Sequence, residues 1–213
     1  SGVYTLKPEK KINFLGLEFP KKNRKNWIWL WDLTFHKGYY YGATYTDKEN
    51  EVYFVRSKDG VNFNFLTKIK ISGHLSEVSI EFDDEDVLVA VVRNDIGNGY
   101  YIREIQNNSD WDIFEFPIQL GGPQLNKIND KLVMTSRMYS SYGNQMQLYT
   151  IDFKDGSIKK HIMQLPSTGD TGYSDLKESG NSLYVVYYSG EFNGKSDIYL
   201  AKISKSMFLD ITK

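Results

Sequence analysis

The chain has 213 residues, and its 26 basic and 27 acidic side chains leave a formal net charge of −1, so no global field draws it to nucleic acid or to an anionic membrane. It has no cysteine, which excludes disulfides and thiolate metal ligands, and no apolar stretch approaches the ~18 residues that a membrane span needs. Sixteen Tyr, twelve Phe and four Trp stand among Val, Ile and Thr, a composition suited to pleated surfaces, and the length fits one all-β domain over residues 1–213.

In chain order, Val3–Leu6 and Ile12–Leu15 are short candidate strands, so that residues 1–26 would make at most a partial first blade. The basic run Lys21–Lys25 reads as a solvated loop. Period-2 alternation then predicts strands over Trp29–Phe35, Tyr39–Thr46, Glu51–Ser57, Val78–Phe82, Val87–Val92 and Tyr100–Gln106. The second half continues with Gln124–Ile128, Leu132–Ser136, Met146–Asp152, Ser157–Gln164, Ser174–Glu178, Leu183–Tyr188 and Asp197–Ile203. Turn signals such as His36-Lys37-Gly38, Lys58-Asp59-Gly60, Lys154-Asp155-Gly156 and Ser179-Gly180-Asn181 separate them, because Gly, Asn and Asp tolerate the positive φ of tight hairpins.

Grouped, these strands form a unit that occurs four times, from Trp31 to Tyr45, Val78 to Arg93, Gln124 to Arg137 and Ser174 to Tyr188. The spacing of about 45 residues is that of a propeller blade, with a β-sandwich as the alternative. The expected fold is therefore an all-β β-propeller of four-stranded antiparallel blades, four of them clear, in a five-bladed or truncated five-bladed ring. An incomplete ring exposes a strand edge and would leave room for a second chain.

Chemistry concentrates in Gly169-Asp170-Thr171-Gly172-Tyr173-Ser174-Asp175-Leu176 and in Ser76-Glu77-Val78, whose hairpin closes on Arg93. Opposite ends of a hairpin's strands share one rim, which places Glu77 with Arg93, and Arg137 occupies the matching point one blade later. The two arginines are candidates to hold an anionic or hydroxyl-rich sugar; equally, each could pair with a neighbouring acid. Asp32, Glu77 and Asp175 take comparable places in successive blades, as the carboxylates of an inverting glycosidase would, and Glu191 is a further acid. Trp29, Trp31, Tyr39, Tyr40 and Tyr139 could offer sugar-stacking faces. His36, His74 and His161 show no ligand spacing, although His36 could face the central funnel; no metal and no cofactor is expected.

Two sets of residues carry a family resemblance. Ser57-Lys58-Asp59-Gly60-Val61-Asn62-Phe63 fits the Asp-box pattern, and Tyr173-Ser174-Asp175-Leu176 resembles the nucleophile segment of sialidases. From Trp27 to Ile203 the chain also resembles a bacterial branch of five-bladed, sialidase-like propellers, through Leu33-Thr34-Phe35-His36-Lys37-Gly38, Gly121-Gly122-Pro123 and Tyr187-Tyr188-Ser189. The resemblance implies a glycoside hydrolase with Tyr173 as nucleophile, Glu77 as its base, and Arg93 and Arg137 binding the sugar; His36 and Asp170 are further candidates to contact it. It also implies a carbohydrate ligand and a secreted or periplasmic setting. The early arginine and early acid/base Asp of sialidases have no match here. A non-catalytic carbohydrate- or protein-binding propeller is the reading from another class.

Overall fold

The computed structural model describes residues 11–17, 28–46, 50–106, 110–141, 143–190 and 195–212; Val3–Leu6, Lys21–Lys25 and Glu191 lie outside them. The first sheet holds β1 (Asn13–Leu15), β2 (Ile28–His36), β3 (Tyr39–Thr46), β4 (Glu51–Ser57) and β5 (Asn62–Lys70), with β1 added parallel to the outer edge of β5. The second holds β6 (Leu75–Phe82), β7 (Leu88–Asn94), β8 (Tyr100–Gln106) and β9 (Asp110–Glu115). The third holds β10 (Gln124–Ile128), β11 (Lys131–Met138), β12 (Gln145–Ile151) and β13 (Ile158–Leu165). The fourth has three described strands, β14 (Thr171–Ser179), β15 (Ser182–Gly190) and β16 (Ser196–Ser204), followed by helix α1 (Lys205–Ile211).

Apart from β1, each sheet is an antiparallel meander, and the innermost strands β2, β6, β10 and β14 adjoin one another in turn. The chain is thus an all-β propeller of four small antiparallel blades. Two details depart from the expectation of uniform four-stranded blades: the first sheet gains β1, and the fourth has three described strands. The short helix α1 places Phe208 in the apolar layer between the third and fourth sheets.

The blade sequences record what covers each face. Between the first and second sheets lie Ala43, Val52, Phe54, Val78, Ile80 and Ala90. Val89, Val91 and Tyr101 meet Leu125, Met134 and Tyr149 in the next layer, and Val133, Met146 and Leu148 meet Leu176, Leu183 and Val185 in the third. A sheet covered on both sides needs an unbroken apolar run, and Leu88-Val89-Ala90-Val91-Val92 of β7 is buried throughout. Among the described residues the fourth blade is covered on one side, so β15 alternates, with Leu183, Val185 and Tyr187 buried and Val186 38% exposed. Ile198 and Leu200 extend that open face at 81% and 67% exposure, and Leu33 and Phe35 stand exposed on β2 at the other end of the series.

Hairpins tighten as the turn residues require. Ser57 and Asp59 close the β4–β5 turn: the Ser57 hydroxyl accepts the Gly60 amide at 3.0 Å, and Asp59 Oδ1 accepts the amides of Val61 and Asn62 at 2.9 and 2.8 Å. Phe63 is buried completely beneath this turn.

Candidate functional site

Three of the four inner strands break register near the same end of the blades. The irregularities fall between Leu30 and Leu33, between Ser76 and Val78, and between Gly172 and Asp175. A bulge releases a residue from the ladder and re-aims its side chain. The released residues are Trp31 with Asp32, Glu77, and Tyr173 with Ser174, and they build the mouth.

Glu77 is 4% exposed and accepts from three donors. Arg93 Nη1 stands 2.7 Å from Oε1, the Tyr173 hydroxyl donates to the same oxygen at 2.9 Å, and the Gly122 amide donates to Oε2 at 2.7 Å. Gly122 must be glycine for this: its φ is +55°, and a Cβ there would lie 2.8 Å from Tyr173 Cδ1. Tyr173 itself, at φ +49°, is a bulky residue in the left-handed region, a conformation that costs about 1–3 kcal/mol unless its surroundings impose it. Its ring meets Trp31 edge-on with centroids 5.0 Å apart and Tyr188 at 5.5 Å. Burial, then the negative charge of Glu77, push the Tyr173 phenol up to about 12. At neutral pH it is therefore a hydrogen-bond donor to Glu77. The buried Tyr45 phenol is also pushed up to about 12, by burial and then by the Glu77 charge.

The arginines are occupied by protein groups. Arg93 spans Glu77 and, through Nε, Asp95 at 2.8 Å. Burial acts to lower its pKa, but the bond to Glu77 prevails and raises it. Arg137 turns Nη2 to Asp170 and to the Tyr188 hydroxyl, both at 3.0 Å, and Nε to the Thr171 carbonyl. Burial, then the bond to Asp170, push the Tyr188 phenol up to about 12.

Asp32 is anchored within the inner strands. Its Oδ2 accepts the Ser79 hydroxyl at 2.6 Å, Gln124 Nε2 at 3.2 Å and the Ile80 amide at 3.4 Å, while Oδ1 accepts the Leu33 amide at 2.8 Å. Glu81 lies further along β6, and burial raises its carboxyl above the ordinary range. A depression of about 320 Å³ opens over this group, lined by Trp31, Gly122, Pro123, Gln124, Tyr173 and Ser174.

Of the residues singled out from sequence, Tyr173, Glu77, Arg93, Arg137 and Asp170 thus form one connected network, with Asp32 in the inner strands below it. Asp175 and His36 do not join it. Asp175 stands exposed on β14, level with Val186, and its carboxylate accepts the Leu176 amide at 2.8 Å. His36 lies at the far end of β2, where its ring stacks on Phe82 at 3.9 Å and Nε2 is 3.1 Å from Asp86. Sequence reasoning missed the Gly122 amide, Gln124 and Tyr45. The Gly121-Gly122-Pro123 run was the available signal for the first. Among the described residues, no group of three His, Cys, Asp or Glu converges as a metal site, and no helix is long and apolar enough to cross a membrane.

No family profile and no curated protein matches the chain. Solved structures do. Bacteroides ovatus xyloglucan PUL GH43B superposes with a TM-score of 0.62 at 14% identity, over 83% of this chain and 38% of that one. An exo-β-1,3-galactanase from Clostridium thermocellum gives 0.64 at 14% identity, over 81% and 44%. A xylan β-1,4-xylosidase from Bacillus halodurans gives 0.58 at 13% identity, over 83% and 39%. The chain spans less than half of each of these proteins, and what it shares with them at such identities is the fold.

These neighbours correct the expected kinship with sialidases, because they are glycoside hydrolases of a different propeller family. A repeating meander with tight Asp-Gly turns satisfies both families, so the motifs quoted above reported the propeller rather than the lineage. The nucleophile role implied for Tyr173 goes with that resemblance. A second chain completing the ring finds no support here either.

Proposed function

We propose that this chain is a carbohydrate-active propeller that hydrolyses a glycosidic bond with carboxyl groups. The observation that carries this reading is a buried carboxylate, Glu77, placed beside an aromatic corner of Trp31 and Tyr173 that opens on a depression of about 320 Å³. Aromatic faces bind the apolar side of a sugar ring, and polar groups at the same spot fix its orientation. Gln124 and Ser174 supply such groups from the lining. The similar solved structures include enzymes named for galactan and xylan cleavage, which supports a saccharide as ligand.

In this reading, hydrolysis without a covalent intermediate needs one carboxyl to protonate the leaving oxygen and another to activate water. Glu77 takes the base part, since the permanent charge of Arg93 at 2.7 Å complements a carboxylate. Asp32 is the second carboxyl of the pair, set within the inner strands. Tyr173 shapes the wall and holds Glu77 through its hydroxyl. The test is a panel of aryl xylosides, galactosides and arabinosides with the product anomer followed by NMR. Glu77→Gln and Asp32→Asn are each expected to lower kcat about 100- to 10,000-fold, the range for losing a positioned acid or base. Undiminished turnover in either variant refutes the assignment.

A second reading, sugar binding without cleavage, is favoured by one observation: Arg93, Tyr173 and Gly122 already occupy both oxygens of Glu77. Saturable binding of an oligosaccharide with no hydrolysis over days selects it.

A further inference from the structure

The first blade carries a second polar concavity at the end opposite the Glu77 mouth. It encloses about 420 Å³ and is lined by Tyr39, Arg56, Lys58, Asp59, Asn62 and Asn64. Two cations converge on one ring there: Arg56 Cζ lies 4.9 Å and Lys58 Nζ 5.2 Å from the Tyr39 centroid. Arg93, Arg103 and Arg137 each face a carboxylate of this chain, whereas Arg56 has no carboxylate partner among the described residues. Asp59, the nearby acid, is bound elsewhere. Its Oδ1 accepts from the Ser57 hydroxyl and the amides of Val61 and Asn62, and its Oδ2 accepts Asn62 Nδ2 at 2.8 Å.

A guanidinium laid against a ring keeps its edge N–H groups free, and that planar fork matches a carboxylate. Asn64, paired with Arg56 across the β4–β5 ladder, adds a side-chain amide at the same place. We propose that this concavity is a separate binding site for a sugar acid, with Arg56 and Lys58 gripping its carboxylate and Asn64 meeting a neighbouring hydroxyl. The sugar part rests on the carbohydrate reading of the mouth; the carboxylate part stands on the concavity alone.

The test is calorimetric titration with digalacturonic acid, with neutral digalactose and sodium acetate as comparisons. Digalacturonate is expected to bind while digalactose leaves the amide signals of Tyr39, Arg56 and Lys58 unmoved in NMR spectra. Losing one charge-assisted contact should weaken binding about tenfold in Arg56→Gln, and Arg56→Gln/Lys58→Gln should abolish it. The amide signals of Tyr39, Arg56 and Lys58 report this concavity and those of Trp31 and Tyr173 report the mouth, so the two sites stand or fall independently. Equal affinity in the folded Arg56→Gln protein overturns the site, and acetate binding as tightly as digalacturonate overturns the sugar assignment.

Discussion

Replacing Glu77 by Gln keeps its shape and removes its charge, and the structure sets the size of the response. The Glu77 and Arg93 side chains are 6% and 19% exposed and lie 2.7 Å apart, so the ion pair is shielded from water. Removing one partner of such a pair costs about 3–5 kcal/mol, chiefly from leaving the other charge without compensation. Two features place this variant at the low end. A Gln carbonyl in the place of Oε1 still accepts two of the three donors, Arg93 and Tyr173, and Arg93 keeps Asp95 at 2.8 Å. Against that, the new amide must point a donor at the Gly122 amide. A loss of about 3 kcal/mol corresponds to a fall in Tm of roughly 6–12 °C for a chain of this length. Urea denaturation followed by circular dichroism measures it, and Glu77→Gln/Arg93→Met should recover part of the loss because the stranded charge is gone. A single variant within 0.5 kcal/mol of the parent would falsify the picture of a shielded, three-donor carboxylate.

Gly122→Ala should destabilise by about 1–3 kcal/mol in the same assay, since it combines a left-handed backbone with a Cβ 2.8 Å from Tyr173; an unchanged midpoint refutes the close approach. Alkaline pH tests the phenols. Tyr45 has a folded-state pKa of about 12 against an ordinary 10, so its contribution is present below pH 10 and lost as pH rises through 12. Tyr45 is 9% exposed, and two pKa units amount to about 2–3 kcal/mol, so urea midpoints should fall between pH 10 and 12 and fall less in Tyr45→Phe. On the fourth blade, Leu200→Lys should change stability by no more than about 0.5 kcal/mol while Leu183→Ala, fully buried on the opposite face, costs about 2–5 kcal/mol. Equal effects would mean that the open face is covered.

The blade repeat could be read from sequence because inner and middle strands combine apolar runs with tight turns. Fourteen predicted strands, Ile12–Leu15 among them, match elements of the structure within a few residues. The outer strands were harder. Asn62–Lys70 and Asp110–Glu115 lie at blade peripheries, where Asn-Phe-Asn-Phe-Leu-Thr and Asp-Trp-Asp-Ile-Phe mix polar and apolar residues without filling a layer, and neither was predicted. Helix α1 has seven residues, too few to display a 3.6-residue period, and its start is marked by Ser204 alone, whose side chain accepts the Met207 amide.

The candidate site depends on a feature that alternation hides. Strict period-2 reading puts Tyr173 and Asp175 on one face of β14. The bulge between Gly172 and Asp175 separates them: Tyr173 swings to Glu77 and Trp31, while Asp175 stays exposed beside Val186. The same device acts at Glu77 in β6 and at Trp31 with Asp32 in β2. A repeat fixes which strands face the axis, but a one-residue slip decides which side chain each strand delivers there. The pairing of Glu77 with Arg93 was legible because both stand at strand ends on one rim, where hairpin geometry is enough. The departure of Asp175 from the mouth was not, and only three of the four inner strands make the slip; β10 keeps its register and contributes Gln124 instead.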